Sequence, residues 1–345
     1  MSRNSKFSYF DFTMNYDMKT QIGAGTFSDV WLCVKRDNGK EMAAKILKKG
    51  FRSSKVNVTT LNNIAEVKIA KTVENHPFLL MMVGAYFYKE CGKIVLVSEL
   101  MKKSLFDIIR SGCSLSLFRI KIYTYQMLEG LRYLHQNDFV HRDIKPENIL
   151  LRSRDKQLKI GDFGTTCHVS EGQPHVQYVA TRWYRSPECM LTRGYYGKKM
   201  DIWAMGCVIY EMVMGHVMFC GVDEADQMER IGWVLGRPNS SLINKFRKNK
   251  SNVFTWLYES SRSDQNFDFG CGLRTVYQPH MPAYEVLKDM IVYDPARRFS
   301  ANRLLRKPYF NEIRNTSYHR KVVEFEKSLG DNDGTTADGS PKRIK

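Results

Sequence analysis

Hydrophobic positions along this chain change period once, near residue 100. Before that point they form short β-branched and aromatic runs broken by glycine and polar turns, as in Asp29-Val-Trp-Leu-Cys-Val34, the turn Asp37-Asn-Gly39 and Lys93-Ile-Val-Leu-Val97. One helix is predicted to interrupt these strands, between about residues 58 and 73. Beyond Lys102 the spacing becomes helical. Ile120, Tyr123, Met127, Leu131 and Leu134 recur at intervals of 3, 4, 4 and 3, and Ile202, Met205, Ile209 and Met212 at 3, 4 and 3. Each set lines one buried stripe of a helix. The second stretch carries almost no charge, so its helix is predicted to be central to its lobe. The pattern predicts an α+β chain of two lobes, a small β-rich one followed by a larger, mainly helical one, with a cleft between them. The final stretch, Gly330-Asp-Asn-Asp-Gly-Thr-Thr-Ala-Asp-Gly-Ser-Pro341, has no periodicity and is predicted to be a disordered tail.

Composition narrows the function classes. The 345 residues suffice for two packed lobes, and 43% hydrophobic with 26% charged residues is ordinary globular usage. The longest uncharged apolar stretch, Pro77 to Tyr88, falls short of the roughly 18 residues of a membrane span. The opening residues are polar and lack a secretory pattern, which predicts a cytoplasmic protein. Eight cysteines without a Cys-x-x-Cys pair predict free thiols rather than a zinc site. A net charge of +17 would suit nucleic acid or anionic surfaces. The densest basic cluster, Lys245, Arg247, Lys248 and Lys250, has no interleaved aromatics, however, and reads as a solvated loop with no nucleic-acid partner.

Candidate chemistry lies in four separated segments. Gly23-Ala24-Gly25-Thr26-Phe27-Ser28-Asp-Val30 joins two strand-like runs, and its glycines let backbone N–H groups approach a polyphosphate; by itself such a motif is weak, and no helix follows it as a Rossmann turn would require. Lys45 sits inside the short apolar strand Ala43-Ala-Lys-Ile46, where a buried ammonium needs an anion, either phosphate oxygens or the carboxylate of Glu66 on the following helix. The decisive string is His141-Arg142-Asp143-Ile-Lys145-Pro-Glu-Asn148, followed by Asp162-Phe-Gly164. Asn148 and Asp162 offer hard oxygens suited to Mg²⁺ held jointly with substrate phosphates. Asp143 is then free to orient an attacking hydroxyl and take its proton, while Lys145 neutralises charge on the transferred group.

The order and spacing of these segments resemble the eukaryotic protein kinases. The resemblance covers about 16–310 and implies a protein kinase-like fold with an N-lobe over about 16–98, a hinge at 99–102 and a C-lobe over 103–310. Residues 1–15 would be an N-terminal extension and 311–345 a flexible tail. It implies ATP and Mg²⁺ as cofactors and protein serine or threonine hydroxyls as acceptors, since Lys145 stands where serine/threonine kinases carry lysine. Ser186-Pro-Glu188 resembles the Ala-Pro-Glu of the family, and Arg298 the arginine that pairs with that glutamate. Tyr178-Val-Ala-Thr181-Arg182-Trp-Tyr-Arg185 is similar to the CMGC branch of cyclin-dependent, MAP and MAK-like kinases, which favours proline after the acceptor, and Arg185 resembles the residue shaping that preference. The resemblance also assigns the adenine site: Ile22 and Val30 as roof, Ala43 and Leu151 as the faces sandwiching the ring, Glu99 and Met101 as backbone partners, and Ser98 as a small residue at the back.

Two positions depart from the family pattern. Ser28 replaces the third glycine of the loop, and Val176-Gln-Tyr178 lacks the threonine of a Thr-x-Tyr activation motif. Tyr178 remains the candidate for an activating phosphate from an upstream kinase, held by Arg142, Arg182 and Arg185, and Thr181 is expected to bond Asp143 and Lys145. These departures motivate the alternative of a pseudokinase-like scaffold with the same fold. Related kinases also leave the nucleus or cilium open as locations.

Overall fold

The computed structural model describes residues 11–48, 61, 63–152, 157–169, 181–247, 250–254, 272 and 282–333. Its first third is one antiparallel sheet of five strands, β1 (Tyr16–Ala24), β2 (Ser28–Lys35), β3 (Glu41–Leu47), β4 (Met82–Tyr88) and β5 (Lys93–Glu99), in the order β1-β2-β3-β5-β4. Alternation decides which side chains reach the cleft. In β3, Met42, Ala44 and Ile46 are buried in the lobe, so Ala43 and Lys45 face the other way. Register then lines up their neighbours, with Val30 and Leu96 opposite Lys45, and Leu32 and Ser98 opposite Ala43. Between β3 and β4 lies helix α1 (Ala65–Thr72), which carries Glu66; the earlier part of the predicted 58–73 helix falls largely outside the described residues.

The second lobe is mainly helical. After β6 (Lys103–Ser104) come α2 (Leu105–Arg110) and α3 (Leu117–Gln136). A three-stranded sheet, β6-β8-β9, and a strand pair, β7-β10, follow, made with β7 (Phe139–Val140), β8 (Ile149–Leu151), β9 (Leu158–Ile160) and β10 (Cys167–His168). Further on are α4 (Pro187–Leu191), α5 (Lys199–Met214), α6 (Glu224–Leu235), α7 (Ser240–Arg247), α8 (Tyr284–Leu287), α9 (Ala301–Leu305) and α10 (Ser317–Asp333). Both predicted stripes are buried throughout, in α3 and α5, and join a single core. Ser116 caps α3 by accepting from Arg119 N, and Gly215 ends α5 at φ 77°, a conformation that favours glycine. Among the described residues the cysteines at 33, 91, 113, 167, 189, 207 and 220 are free thiols, and Cys271 lies outside the described residues. Among the described residues no helix is long and apolar enough to cross a membrane.

Three expectations need correction. The described part of the predicted 1–15 extension belongs to the N-lobe, because Phe12 is fully buried and stacks on Tyr16 at 5.3 Å. Folding also continues past residue 310. A 3-10 segment, Pro308–Asn315, buries Ile313, and α10 buries Val322 against the C-lobe. The signal was present in the sequence as Tyr318, Val322, Phe325 and Leu329, spaced by helical intervals of 4, 3 and 4. Finally, the basic cluster begins on a helix, α7, where Lys245 pairs with Asp294. Of the predicted disordered stretch 330–341, the residues up to Asp333 lie in α10 and the remainder lies outside the described residues.

Candidate active site

The cleft between the lobes has a volume of about 520 Å³ and brings together Gly23, Gly25, Lys45, Glu66, Lys145, Asn148 and Asp162. Its upper wall is the sheet. Gly25 N donates to the Ser28 carbonyl at 2.8 Å, closing the turn between β1 and β2, and a Cβ at Gly25 would stand 3.2 Å from that carbonyl oxygen. A side chain there would need that carbonyl to move by a few tenths of an ångström. Ile22, Ala24, Ser28, Val30 and Ala43 also line the cleft. Thr26 and Phe27 do not; they sit at the exposed tip of the turn, with Phe27 76% exposed.

Lys45 is the link between lobes. Its ammonium lies 3.0 Å from Glu66 Oε1 and 2.6 Å from Asp162 Oδ1, so one cation joins β3, α1 and the loop after β9. Burial pushes the Lys45 pKa down, but the two carboxylates outweigh it and the net shift is upward. Asp162 shows the converse. Burial pushes its carboxyl up, while Lys45, followed by His141 and the Gly164 N–H, brings it below the ordinary value. Both groups are charged across the neutral range.

The lower wall is set by a buried aspartate that the sequence reading did not single out as a site residue. Asp201, at the start of α5, accepts from His141 N and Arg142 N, each at 2.9 Å, and lies 2.8 Å from His135 Nε2. His141 in turn accepts from Asp143 N at Nδ1 and donates from Nε2 to the Gly161 carbonyl at 2.9 Å. These bonds stitch the loop carrying Asp143 to the loop carrying Asp162. Arg142 at φ 70° and Asp162 at φ 56° hold left-handed backbone, which is costly for residues other than glycine, and both stand in this site.

Within the loop, Asn148 Nδ2 donates to the Asp143 carbonyl at 2.8 Å and to Asp143 Oδ2 at 2.9 Å, which leaves the Asn148 amide oxygen as an acceptor. Lys145 Nζ is 2.9 Å from Asp143 Oδ2 and 3.4 Å from Thr181 Oγ1, so Thr181 meets Lys145, the one of its two expected partners for which the structure gives a bond. Among the described residues no cluster of three or more His, Cys, Asp or Glu could hold a metal by itself.

Around the adenine position one residue shifts. Leu150, not Leu151, lines the cleft, because β8 alternates and both Ile149 and Leu151 point into the C-lobe core. Counting the alternation from buried Ile149 would have identified it. Ser98, Glu99 and Met101 also line the cleft, and the Glu99 side chain reaches Lys159 of β9 at 2.5 Å. Behind Ser98 the cleft continues to Ile69, Leu80, Met82 and Leu96.

The residues assigned to regulation are less gathered. Tyr178 lies outside the described residues. Arg142 Nε donates to the Thr165 carbonyl at 2.5 Å, Arg182 to the carbonyls of Gly221 and Val222, and Arg185 to Glu224 at 2.9 Å. Glu188 and Arg298 meet as the resemblance implied, in a fully buried two-point pair at 2.6 Å per contact.

Comparison with known proteins agrees with this geometry. The protein kinase domain family matches residues 16–310. The chain is 36% identical over 319 residues to the human MAPK/MAK/MRK overlapping kinase, covering 89% of this chain and 72% of that protein. It is 30% identical to mitogen-activated protein kinase 6 of Oryza sativa subsp. japonica, covering 85% and 76%, and 31% identical to the mouse serine/threonine-protein kinase ICK, covering 86% and 45%.

Proposed function

Because this chain belongs to the protein kinase family, in its MAK/MOK-like CMGC part, we propose that its cleft transfers the γ-phosphoryl group of ATP to serine and threonine hydroxyls of proteins, favouring a proline directly after the acceptor. The carrying observation is the convergence of Lys45, Glu66 and Asp162 across the cleft, with Lys145 and Asn148 on its floor, each bonded to the Asp143 carboxylate behind them. In this reading the β1–β2 turn covers the phosphates and Lys45 holds them, with Glu66 fixing the ammonium. Asp143 accepts the proton of the attacking hydroxyl as its oxygen bonds to phosphorus and the bridging oxygen leaves with ADP. Lys145, beside Asp143, faces the charge on the moving phosphoryl group.

The donor set suits Mg²⁺. Asn148 keeps an amide oxygen free of its two donated bonds, and Asp162 has a second carboxylate oxygen besides the one bound to Lys45, a sparse pair that fits an ion otherwise held by water and phosphate. Bound there, the ion would neutralise charge on the phosphates during transfer. Support for proline preference is Arg185, whose guanidinium is fixed by Glu224 next to α4. Tyr178 is the proposed activating phosphosite.

The test is transfer from γ-labelled ATP to paired peptides that differ only in Ser-Pro against Ser-Ala. Label on both with higher kcat/KM for Ser-Pro is expected, and its loss on chelation of divalent ions supports the Mg²⁺ assignment. Equal rates on the two peptides would remove the proline preference, and no transfer from a nucleotide-binding preparation would favour the scaffold.

A further inference from the structure

The helix that carries Glu66 is short. It has eight residues, its N-cap position Ile64 makes no side-chain bond to it, and isolated helices below about 12–15 residues are marginal in water. Packing must therefore fix where Glu66 points. At the C-terminal end of α1 the chain is tied down over residues 74–78. Glu74 N donates to the Tyr133 hydroxyl at 3.2 Å, Gln157 Nε2 to the Pro77 carbonyl at 2.5 Å, and Phe78 N to His76 Nδ1 at 3.2 Å.

Helix α10 covers this knot from the outside. Phe325 meets the rings of His76 and Tyr133 edge to face, each at 5.0 Å, while those two rings stack on one another at 5.1 Å. Lys321 Nζ donates to Gln157 Oε1 at 2.6 Å, so the same glutamine grips Pro77 with its nitrogen and α10 with its oxygen. Glu326 pairs with Arg132 at 2.6 Å and keeps the helix in register. His76 is 1% exposed, and since its Nδ1 accepts from Phe78, the ring proton sits on Nε2, which has no hydrogen-bond partner among the described residues. Burial, with Arg132 and Lys159 adding to it, pushes the His76 pKa down to about 3, so the ring is neutral. Phe325 closes the aromatic pocket that shelters this orphaned N–H.

Building on the kinase reading, we infer that Phe325, His76 and Gln157 are positioning residues for the Lys45–Glu66 pair: α10 braces the 74–78 segment and thereby sets the angle at which α1 presents Glu66 to the cleft. The brace acts on the alignment of the phosphate-holding ammonium and touches neither nucleotide nor acceptor.

The experiment uses the full chain with Phe325→Ala, Phe325→Leu and Lys321→Met. Amide hydrogen exchange is followed over residues 65–74 and over α5, and kcat and KM for ATP are measured alongside. Phe325→Ala is expected to speed exchange at 65–74 about tenfold, to raise KM for ATP and lower kcat to a similar combined extent, and to leave α5 unchanged. Phe325→Leu should restore most of both, and Lys321→Met should give the same pattern at roughly twofold to threefold. Unchanged exchange and kinetics, or exchange rising equally in α5, would overturn the brace. If Phe325→Ala does not fold, Lys321→Met decides by the same criteria. Exchange is read without turnover, so a natural chain that transfers no phosphate counts against the kinase reading, while the brace stands or falls on exchange at 65–74.

Discussion

Lys45–Glu66 in the N-lobe and Glu188–Arg298 in the C-lobe are both carboxylate–cation pairs between residues far apart in sequence, yet their surroundings differ in every respect that matters. Arg298 is saturated. Its five N–H groups go to both Glu188 oxygens and to the carbonyls of Val292, Lys199 and Tyr293, and its guanidinium lies 5.1 Å from the Trp203 ring centroid. Lys45 is shared. One ammonium serves two carboxylates from different lobes at the wall of an open cleft, and its side chain keeps 23% exposure. A planar fork with every donor used holds one geometry, whereas a compact ammonium on a flexible stem can exchange a carboxylate for a phosphate. The first pair serves the fold, and in the proposed reaction the second serves the chemistry.

The largest way to sharpen this contrast is to remove charge from the cleft. Asp162→Asn is expected to lower the transfer rate at least about 10³-fold while the thermal midpoint barely moves, measured by initial rates and calorimetry on one preparation. The opposite profile belongs to the core pair. Arg298→Met leaves Glu188 buried and alone, and is expected to cost about 3–5 kcal/mol in chemical denaturation, with turnover per folded molecule reduced far less. A cleft variant that unfolded the protein, or a core variant that spared its stability, would break the comparison.

The two neighbouring leucines of β8 make a smaller, local version of the test. Leu151→Ala is expected to destabilise by about 2–5 kcal/mol because it empties core, while Leu150→Ala should weaken ATP binding several-fold at nearly unchanged stability. The smallest effect concerns pH. Asp162 is shifted down, so its share of stability is present above its unfolded pKa near 4 and is lost as pH falls through the lower folded value. Lys45 is shifted up, so its share is present below about 10.5 and is lost as pH rises through the higher folded value. The stability difference between the natural chain and Lys45→Met should therefore stay constant from about pH 5 to 9 and shrink in stronger acid.

What was legible in the sequence follows from which forces are local. Stripes such as Ile120 to Leu134 and the glycine turn carry their own periodicity or backbone demand, so α3, α5 and the strands around Lys45 could be read directly. The residues proposed for catalysis were legible because such chemistry restricts residue type and spacing, as with Asp143, Asn148 and Asp162. Asp201 was harder to find, since its role is to bind two backbone N–H groups some sixty positions earlier in the chain, a contact that leaves no local pattern. Leu150 was missed by one position because strand alternation reverses faces at every step. The helix at 317–333 was hidden by its charged, polar surroundings, although its stripe of Tyr318, Val322, Phe325 and Leu329 is regular.

The most direct measurement compares the natural chain with Asp143→Asn, matched for thermal midpoint and for ATP affinity, in the initial rate of γ-phosphoryl transfer to a serine peptide. A rate in the natural chain that falls at least about 10³-fold in the variant is predicted. Equal rates in the two, or none in either while both bind nucleotide, would contradict it.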